Sequence, residues 1–278
     1  MEVSFYKIRL FRNDFILIPP QREFEIRDEL ASQLSRNLCR RRIAVGATGL
    51  IVVDIESSQA PRIRIFDRTG RKVSRLLDAL LCAGRYLFDS GRTDGRTLEI
   101  STDIGIAELL IVDSQQFEAD VGTPTDPESG GAIDPSPTTY SGTNIVIEGR
   151  RYAATAVGLS VECMVFLPAP PHSLRSFNDK ARDAIGAKGL LPVFVKPISP
   201  DEQRVYSWPQ NDPIDCTSIV ACSAVASGVS GYADGIVATR FAASRAFARW
   251  DLTKNRVAVT ASPEYVFSGE ISAEVESE

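Results

Sequence analysis

The sequence predicts an α+β protein that uses one plan twice: strands, a single buried helix, then more strands. Three observations carry this. Arg64–Gly91, RIRIFDRTGRKVSRLLDALLCAGRYLFDSG, reads as a short strand, a glycine turn and a long apolar helix. Cys216–Val229, CTSIVACSAVASGV, reads as a second helix built mostly from small residues, which suits a helix threaded through a barrel because neighbouring backbone can come close. Short alternating segments separated by turn residues flank both helices and read as strands. Identities between the two halves are weak, so the repeat is one of architecture.

Composition bounds what such a chain does. Its 278 residues suffice for one large domain or two of ordinary size, and 44% hydrophobic and 24% charged residues are globular proportions. A net charge of −5 gives no reason to expect nucleic acid or an anionic membrane as a partner. No charged leader precedes an apolar core and a cleavage site, and no run reaches the ~18 apolar residues of a membrane span, so a cytoplasmic protein is expected. The five cysteines, at 39, 82, 163, 216 and 222, are odd in number and form no C-x-x-C pair, as free thiols in a reducing compartment would. His172 is the sole histidine, which argues against zinc and Ser-His-Asp chemistry; no metal site and no cofactor are expected. If the chain moves protons, thiols or carboxylates must do it.

In order, Val3–Leu10 and Phe15–Ile18 read as strands around a turn at Arg12-Asn13-Asp14, and Ile26, Leu30, Leu34 and Leu38 mark a helix over Ile26–Arg41. The basic run Arg40-Arg41-Arg42 reads as its solvated C-terminus. Strands follow at Gly49–Ile55 and Arg62–Phe66. Val73, Leu76, Leu77, Leu80, Gly84, Leu87 and Phe88 then form an apolar stripe, with Arg75, Asp78, Cys82, Arg85 and Asp89 on a mostly polar one, so the central helix is expected from Val73. Thr97–Thr102, Ala107–Val112 and Phe117–Val121 alternate like strands. Gly122–Gly142, rich in Pro, Ser, Thr, Asp and Gly, is the best linker candidate. Beyond it, strands are expected at Asn144–Ile147, Arg151–Ala156, Val161–Leu167, Leu191–Lys196, Arg204–Trp208, Val237–Phe241, Ala246–Asp251, Arg256–Ala261 and Glu264–Phe267, with a polar helix at Ser176–Ala184. Asp215 is a good N-cap for the second central helix, with Ser218 three residues on. Cys216 then falls in the first turn, where exposed N–H groups favour a thiolate; the bland alternative is a buried, inert cysteine among small residues.

Several short motifs share order and spacing with a known family. Asn13-Asp14-Phe15 followed by Ile16-Leu17-Ile18, Arg64-Ile65-Phe66-Asp67 with Gly70, Ile100-Ser101-Thr102 with Gly105, Val121-Gly122-Thr123-Pro124, Arg204-Val205-Tyr206 and Ala221–Ala226 together resemble the diaminopimelate epimerases over nearly the whole chain. The resemblance implies two pseudo-symmetric domains, each a curled, mostly antiparallel sheet around a central helix, here divided as residues 1–125 and 126–278 with the C-terminal strand free to return to the first. It also implies an amino-acid isomerase without a pyridoxal cofactor. In that family a cysteine at the start of each central helix removes or returns the α-proton, one on each face, and helix N-termini hold the substrate carboxylate.

Position by position, the carried-over site is depleted. The first family cysteine falls on Leu76, and the G-N-G after it on Leu77-Asp78-Ala79, within what reads as continuous helix. The second falls on Cys216 or, counted from the other side, on Thr217. The ligand positions fall on Asn13, Asp67, Ser160 and Asp212, of which only Asn13 is the family residue. Asp67, Asp78 and Cys82 are the nearby candidates for a replacement proton carrier. The expectation is a divergent relative without two-base epimerase activity that binds a small amino-acid-like ligand or a protein partner, a second copy of the chain included. The alternatives are an active epimerase or racemase, or a single-base lyase using Cys216.

Overall fold

Alternation and burial along the chain produce seventeen strands and four helices in the structure, a computed structural model that describes residues 2–21, 24–55, 60–93, 95–135, 142–170, 173–186, 189–209, 213–233 and 235–272. The first ten elements are β1 (Glu2–Leu10), β2 (Asn13–Ile18), α1 (Asp28–Leu38), β3 (Gly49–Asp54), β4 (Arg62–Asp67), β5 (Lys72–Val73), α2 (Leu77–Asp89), β6 (Thr97–Thr102), β7 (Gly105–Ile111) and β8 (Phe117–Gly122). They continue as β9 (Thr143–Ile147), β10 (Arg150–Gly158), β11 (Glu162–Phe166), α3 (Leu174–Ile185), β12 (Leu191–Ser199), β13 (Glu202–Tyr206), α4 (Cys216–Val229), β14 (Ile236–Phe241), β15 (Ser244–Asp251), β16 (Arg256–Ala261) and β17 (Glu264–Ser272). Two compact units result: Met1–Ala119 with Asp212–Ile214 and Ser262–Glu278, and Asp120–Asn211 with Asp215–Ala261.

The two units share one topology. In the first, β17 pairs antiparallel with β1 and β1 with β2; α1 crosses over to a parallel β3; β3 and β4 are antiparallel; α2 crosses over to β6, which meets β4 in parallel; and β6, β7 and β8 meander. In the second, β9 flanks β10 and β10 pairs with β11; α3 crosses over to a parallel β12; β12 and β13 are antiparallel; α4 crosses over to a parallel β14; and β14, β15 and β16 meander. Each parallel pair needs a helical crossover, which explains why two helices occur at matching places in each unit. The earlier helix of each pair packs outside: α1 covers a cluster containing Phe5, Ile16, Leu50 and Phe66, and α3 covers one containing Phe166, Phe177 and Phe194.

The later helix is central. α4 packs on β10, β11, β12, β14, β15 and β16, and Cys216 through Ser227 are all buried. Small side chains allow this enclosure: a Cβ at Gly228 would lie 3.2 Å from the Trp250 ring. α2 packs on β1, β2, β3, β4 and β6 with bulkier leucines, and there Gly84 makes the close approach, since a Cβ would lie 2.5 Å from Leu109 Cδ1.

α2 starts four residues later than its apolar stripe suggests. Val73 pairs with Ile65 in β5, so Leu76 is the N-cap and Leu77 the first helical residue. Its second stripe also differs from the expectation, because Asp78 and Cys82 are buried while Arg85 and Asp89 pair at 2.6 Å. Trp208 stacks on Tyr206, and Trp250 is buried. Of the expected linker, residues 136–141 lie outside the described residues; ahead of them, Thr125 exchanges backbone hydrogen bonds with Gly158 and Ile133 is buried.

Arg64, from the R-I-F motif, is buried at the centre of an ion-pair chain in the first unit. Its guanidinium donates to both Asp54 carboxylate oxygens at 2.8 and 2.9 Å, to Asp28 at 2.6 Å and to the Ile26 carbonyl at 2.5 Å. Lys72 joins Asp28 to Asp103, and Arg62 also holds Asp103. The chain ties the start of α1 to β3, β4, β5 and the β6–β7 turn. Arg64→Ala should therefore lower the unfolding free energy by about 2 kcal/mol, less than a fully buried pair would lose because Asp28 is half exposed. Denaturant titration checks this, and Arg64→Lys should recover only part of the loss because it cannot bind Asp54 in the same two-pronged way.

Candidate functional site

In the first unit, the groups around the start of α2 are assembled by the β1–β2 hairpin. Phe11 takes a positive φ of 54° in its turn, and Asn13 opens β2 opposite Leu10. This aims the buried Asn13 side chain at α2, where Nδ2 donates to Asp78 Oδ2 at 2.6 Å and to the Ile214 carbonyl at 2.7 Å. Asp78 is 0% exposed and lies in the first turn of α2, where a carboxylate suits the helix dipole. Leu76 caps the helix in an extended conformation with no side-chain hydrogen bond, and its carbonyl accepts from the Ala79 and Leu80 amides. Its own side chain is 2% exposed and offers no group that takes or gives a proton.

Asp67 closes the turn after β4. Oδ1 accepts from the Thr69 amide, the Thr69 hydroxyl and the Arg71 amide at 2.7, 2.5 and 3.1 Å, and Oδ2 accepts from Arg71 Nε at 3.1 Å. Burial pushes this carboxyl up, but the hydrogen bonds from Thr69 and Arg71 outweigh it and hold it below the usual carboxylate range. Cys82 lies one and a half turns into α2, where burial, with the Asp78 charge adding to it, pushes the thiol well above its ordinary value and keeps it protonated.

Asp14, beside Asn13 in the N-D-F motif, faces a different set of groups. Its carboxylate accepts from Arg41 at 2.6 Å, the Thr48 hydroxyl at 2.8 Å and the Thr48 amide at 3.0 Å, and Lys7 lies at 2.9 Å. Arg40, Arg41 and Arg42 are exposed, as the solvated basic run suggests, and Arg41 is in addition tied to Asp14. Lys7 also donates to the Gly46 carbonyl.

The second unit has its own helix start. Asp215 caps α4, as its sequence context predicts, accepting from the Ser218 amide at 3.3 Å and the Ser218 hydroxyl at 2.9 Å. Cys216 and Thr217 are the first two helical residues, and both are 0% exposed. Further along, the buried Cys222 thiol points at the Val157 and Val161 carbonyls at 3.6 Å, and burial with the neighbouring Cys163 pushes it well above its ordinary value. Ser160 is exposed in the bend between β10 and β11, and Asp212 lies outside the described residues.

Within the first unit the structure therefore brings Asn13 together with Asp78 and Ile214, while Asp67 is turned onto its own loop. No local signal announces the Asn13–Asp78 bond, which spans 65 positions. A cavity of about 1070 Å³ in this unit lies beside the Arg64 ion-pair chain, and its lining includes none of Asn13, Asp67, Leu76 or Asp78. Among the described residues no cluster of His, Cys, Asp and Glu has a metal-binding arrangement, and no helix is long and apolar enough to cross a membrane.

No established family model matches the chain. Curated sequences do. The diaminopimelate epimerase of Pelotomaculum thermopropionicum is 27% identical, over 96% of this chain and 98% of its own length, and that of Moorella thermoacetica is 25% identical over 96% and 99%. The chain is a homologue of the diaminopimelate epimerases. Solved structures agree on the fold. A phenazine biosynthesis protein of the PhzF family from Enterococcus faecalis superposes with a TM-score of 0.64, covering 98% of this chain and all of its own, at 12% identity. A probable proline racemase from Agrobacterium radiobacter gives 0.62, covering 98% and 93%, at 9% identity. The α+β architecture of curled sheets is thus that of the diaminopimelate-epimerase and PhzF proteins.

The Asp14 cluster yields a pH dependence. Burial raises its carboxyl, but hydrogen bonds from Arg41, Lys7 and Thr48 together with the Lys7 charge bring it down to about 2 from an ordinary 3.8. The folded value is the lower one, so its stabilisation is fully present above about pH 4 and is lost as pH falls through about 2. Asp14→Asn should cost about 1.5 kcal/mol at pH 7, after allowance for partial exposure, and should flatten the loss of stability between pH 4 and 2. Unfolding curves of both proteins across that range measure the difference.

Proposed function

We propose that this homologue of the diaminopimelate epimerases binds a small amino-acid-like ligand and does not carry out two-thiol epimerisation. One observation carries the reading: Leu76, on which the first family cysteine falls when counted from Arg64, is the N-cap of α2 and is buried. Inversion at a Cα needs one group to take the proton and another to return it from the opposite face. Leucine supplies neither. Asp67, whose hydrogen bonds close its own turn, and Cys82, buried and protonated, are poorly suited to replace it.

A second reading is an acid–base isomerase or single-base lyase on the same scaffold, using Cys216 and without a pyridoxal cofactor. The buried carboxylate of Asp78, two residues beyond Leu76 and hydrogen-bonded by Asn13, favours it. Several relatives and neighbours carry the names epimerase and racemase, which are proton-shifting enzymes, and this favours it too.

The two readings separate in deuterated buffer. On the first, diaminopimelate or another α-amino acid raises the melting temperature, by roughly 5 °C or more at a hundredfold excess over its dissociation constant, while its Cα proton does not exchange. Exchange detected by NMR or mass spectrometry and abolished by Cys216→Ala or Asp78→Asn would replace the binding reading with the second. Neither stabilisation nor exchange across the amino acids would sink both.

A further inference from the structure

The second unit holds a cavity of about 370 Å³ toward the C-terminal end of α4, where the lining residues Ala224 and Gly228 lie about 12 and 18 Å of helix beyond Cys216. Its volume is in the range of small-molecule sites, roughly 300–1,000 Å³. It is therefore separate from Cys216 at the start of α4, and its lining contains no residue of α2, on whose start the proposed function rests.

Its walls are built and not incidental. Ala224 and Gly228 of α4 form one side, Gly231 and Tyr232 of the following turn another, and Trp250 of β15 faces them. Trp250 is 6% exposed and fixed: its Nε1–H donates to Asn255 Oδ1 at 3.0 Å, and Asn255 in turn donates to the Ile133 carbonyl at 2.9 Å. The indole N–H is thus already used, leaving the ring to meet a ligand. Tyr232, 42% exposed, adds a second aromatic group at the rim.

The electrostatics narrow the ligand. None of the described lining residues is charged, and α4 has no basic residue in its last turn to offset the negative end of its dipole. A low-dielectric cavity with aromatic walls beside the negative end of a helix dipole favours a cation with weak hydration. A bare metal ion or a strongly hydrated ion gains too little from ring faces to replace its water. We propose that this cavity is a binding site for a small organic cation, a substituted ammonium carried on a compact apolar body.

Trp208→Phe leaves Trp250 as the sole tryptophan and hence the fluorescent reporter. In that background, benzyltrimethylammonium should change the Trp250 emission saturably, and benzyl alcohol, similar in its ring but uncharged, should bind at least about tenfold more weakly. Ala224→Leu fills the cavity and should abolish the response. Tyr232→Ala, a change at an exposed position that serves if Ala224→Leu fails to fold by circular dichroism, should weaken it about tenfold. The proposal is overturned by no saturable change with the ammonium, by equal binding of the alcohol, or by a response of full strength in the folded variants.

Discussion

Each unit depends on enclosing a whole helix in a curled sheet. A helix that starts inside the sheet cannot leave that start to water, so its first N–H groups must find partners inside the protein. The two central helices meet this demand differently. α4 relies on small residues, a side-chain cap from Asp215 and serines that bond inward, Ser223 to Ile219 and Ser227 to Gln203. α2 relies on leucine bulk, with Gly84 relieving one close contact, and begins at a residue whose side chain caps nothing.

The polar groups gathered at the start of α2 follow from that choice. A buried carboxylate costs several kcal/mol unless donors satisfy it, and the Asn13 amide comes from the β1–β2 hairpin to do so. The same amide holds the Ile214 carbonyl, so one side chain joins three distant parts of the sequence. Asn13 is therefore a structural fastener in this protein. Asp67 and Arg64 show the same pattern: residues of the family-like motifs whose bonds are directed at turns and strands.

Legibility in the sequence followed the range of the interactions. The α+β plan, the extent of α4 and its Asp215 cap were readable because periodicity and capping are local. The doubled topology was visible only as an order of elements; its parallel pairs and crossovers rest on strand pairing that one sequence does not display. The start of α2 was misplaced because Val73 fits the helical apolar stripe, yet pairing with Ile65 captures it as strand. At the candidate site, the sequence placed Leu76 by counting from Arg64, but the burial of Asp78 and its bond to Asn13 were not legible, since hydrophobic patterning alone places Asp78 on a polar face.

The shared topology makes the difference between the helix starts informative. An epimerase interconverts stereoisomers of nearly equal energy, so its two proton-transfer groups perform matched tasks and benefit from matched acidities. Here the corresponding starts carry Leu76 and a hydrogen-bonded Asp78 in one unit, and Asp215, Cys216 and Thr217 in the other. A leucine cannot be matched to a thiol, and a carboxylate and a thiol differ by several units in ordinary acidity. Groups so unequal suit recognition, or a proton movement with a preferred direction, better than reversible inversion. The two units are therefore alike where enclosing a helix requires it and unlike in the side chains that begin their central helices.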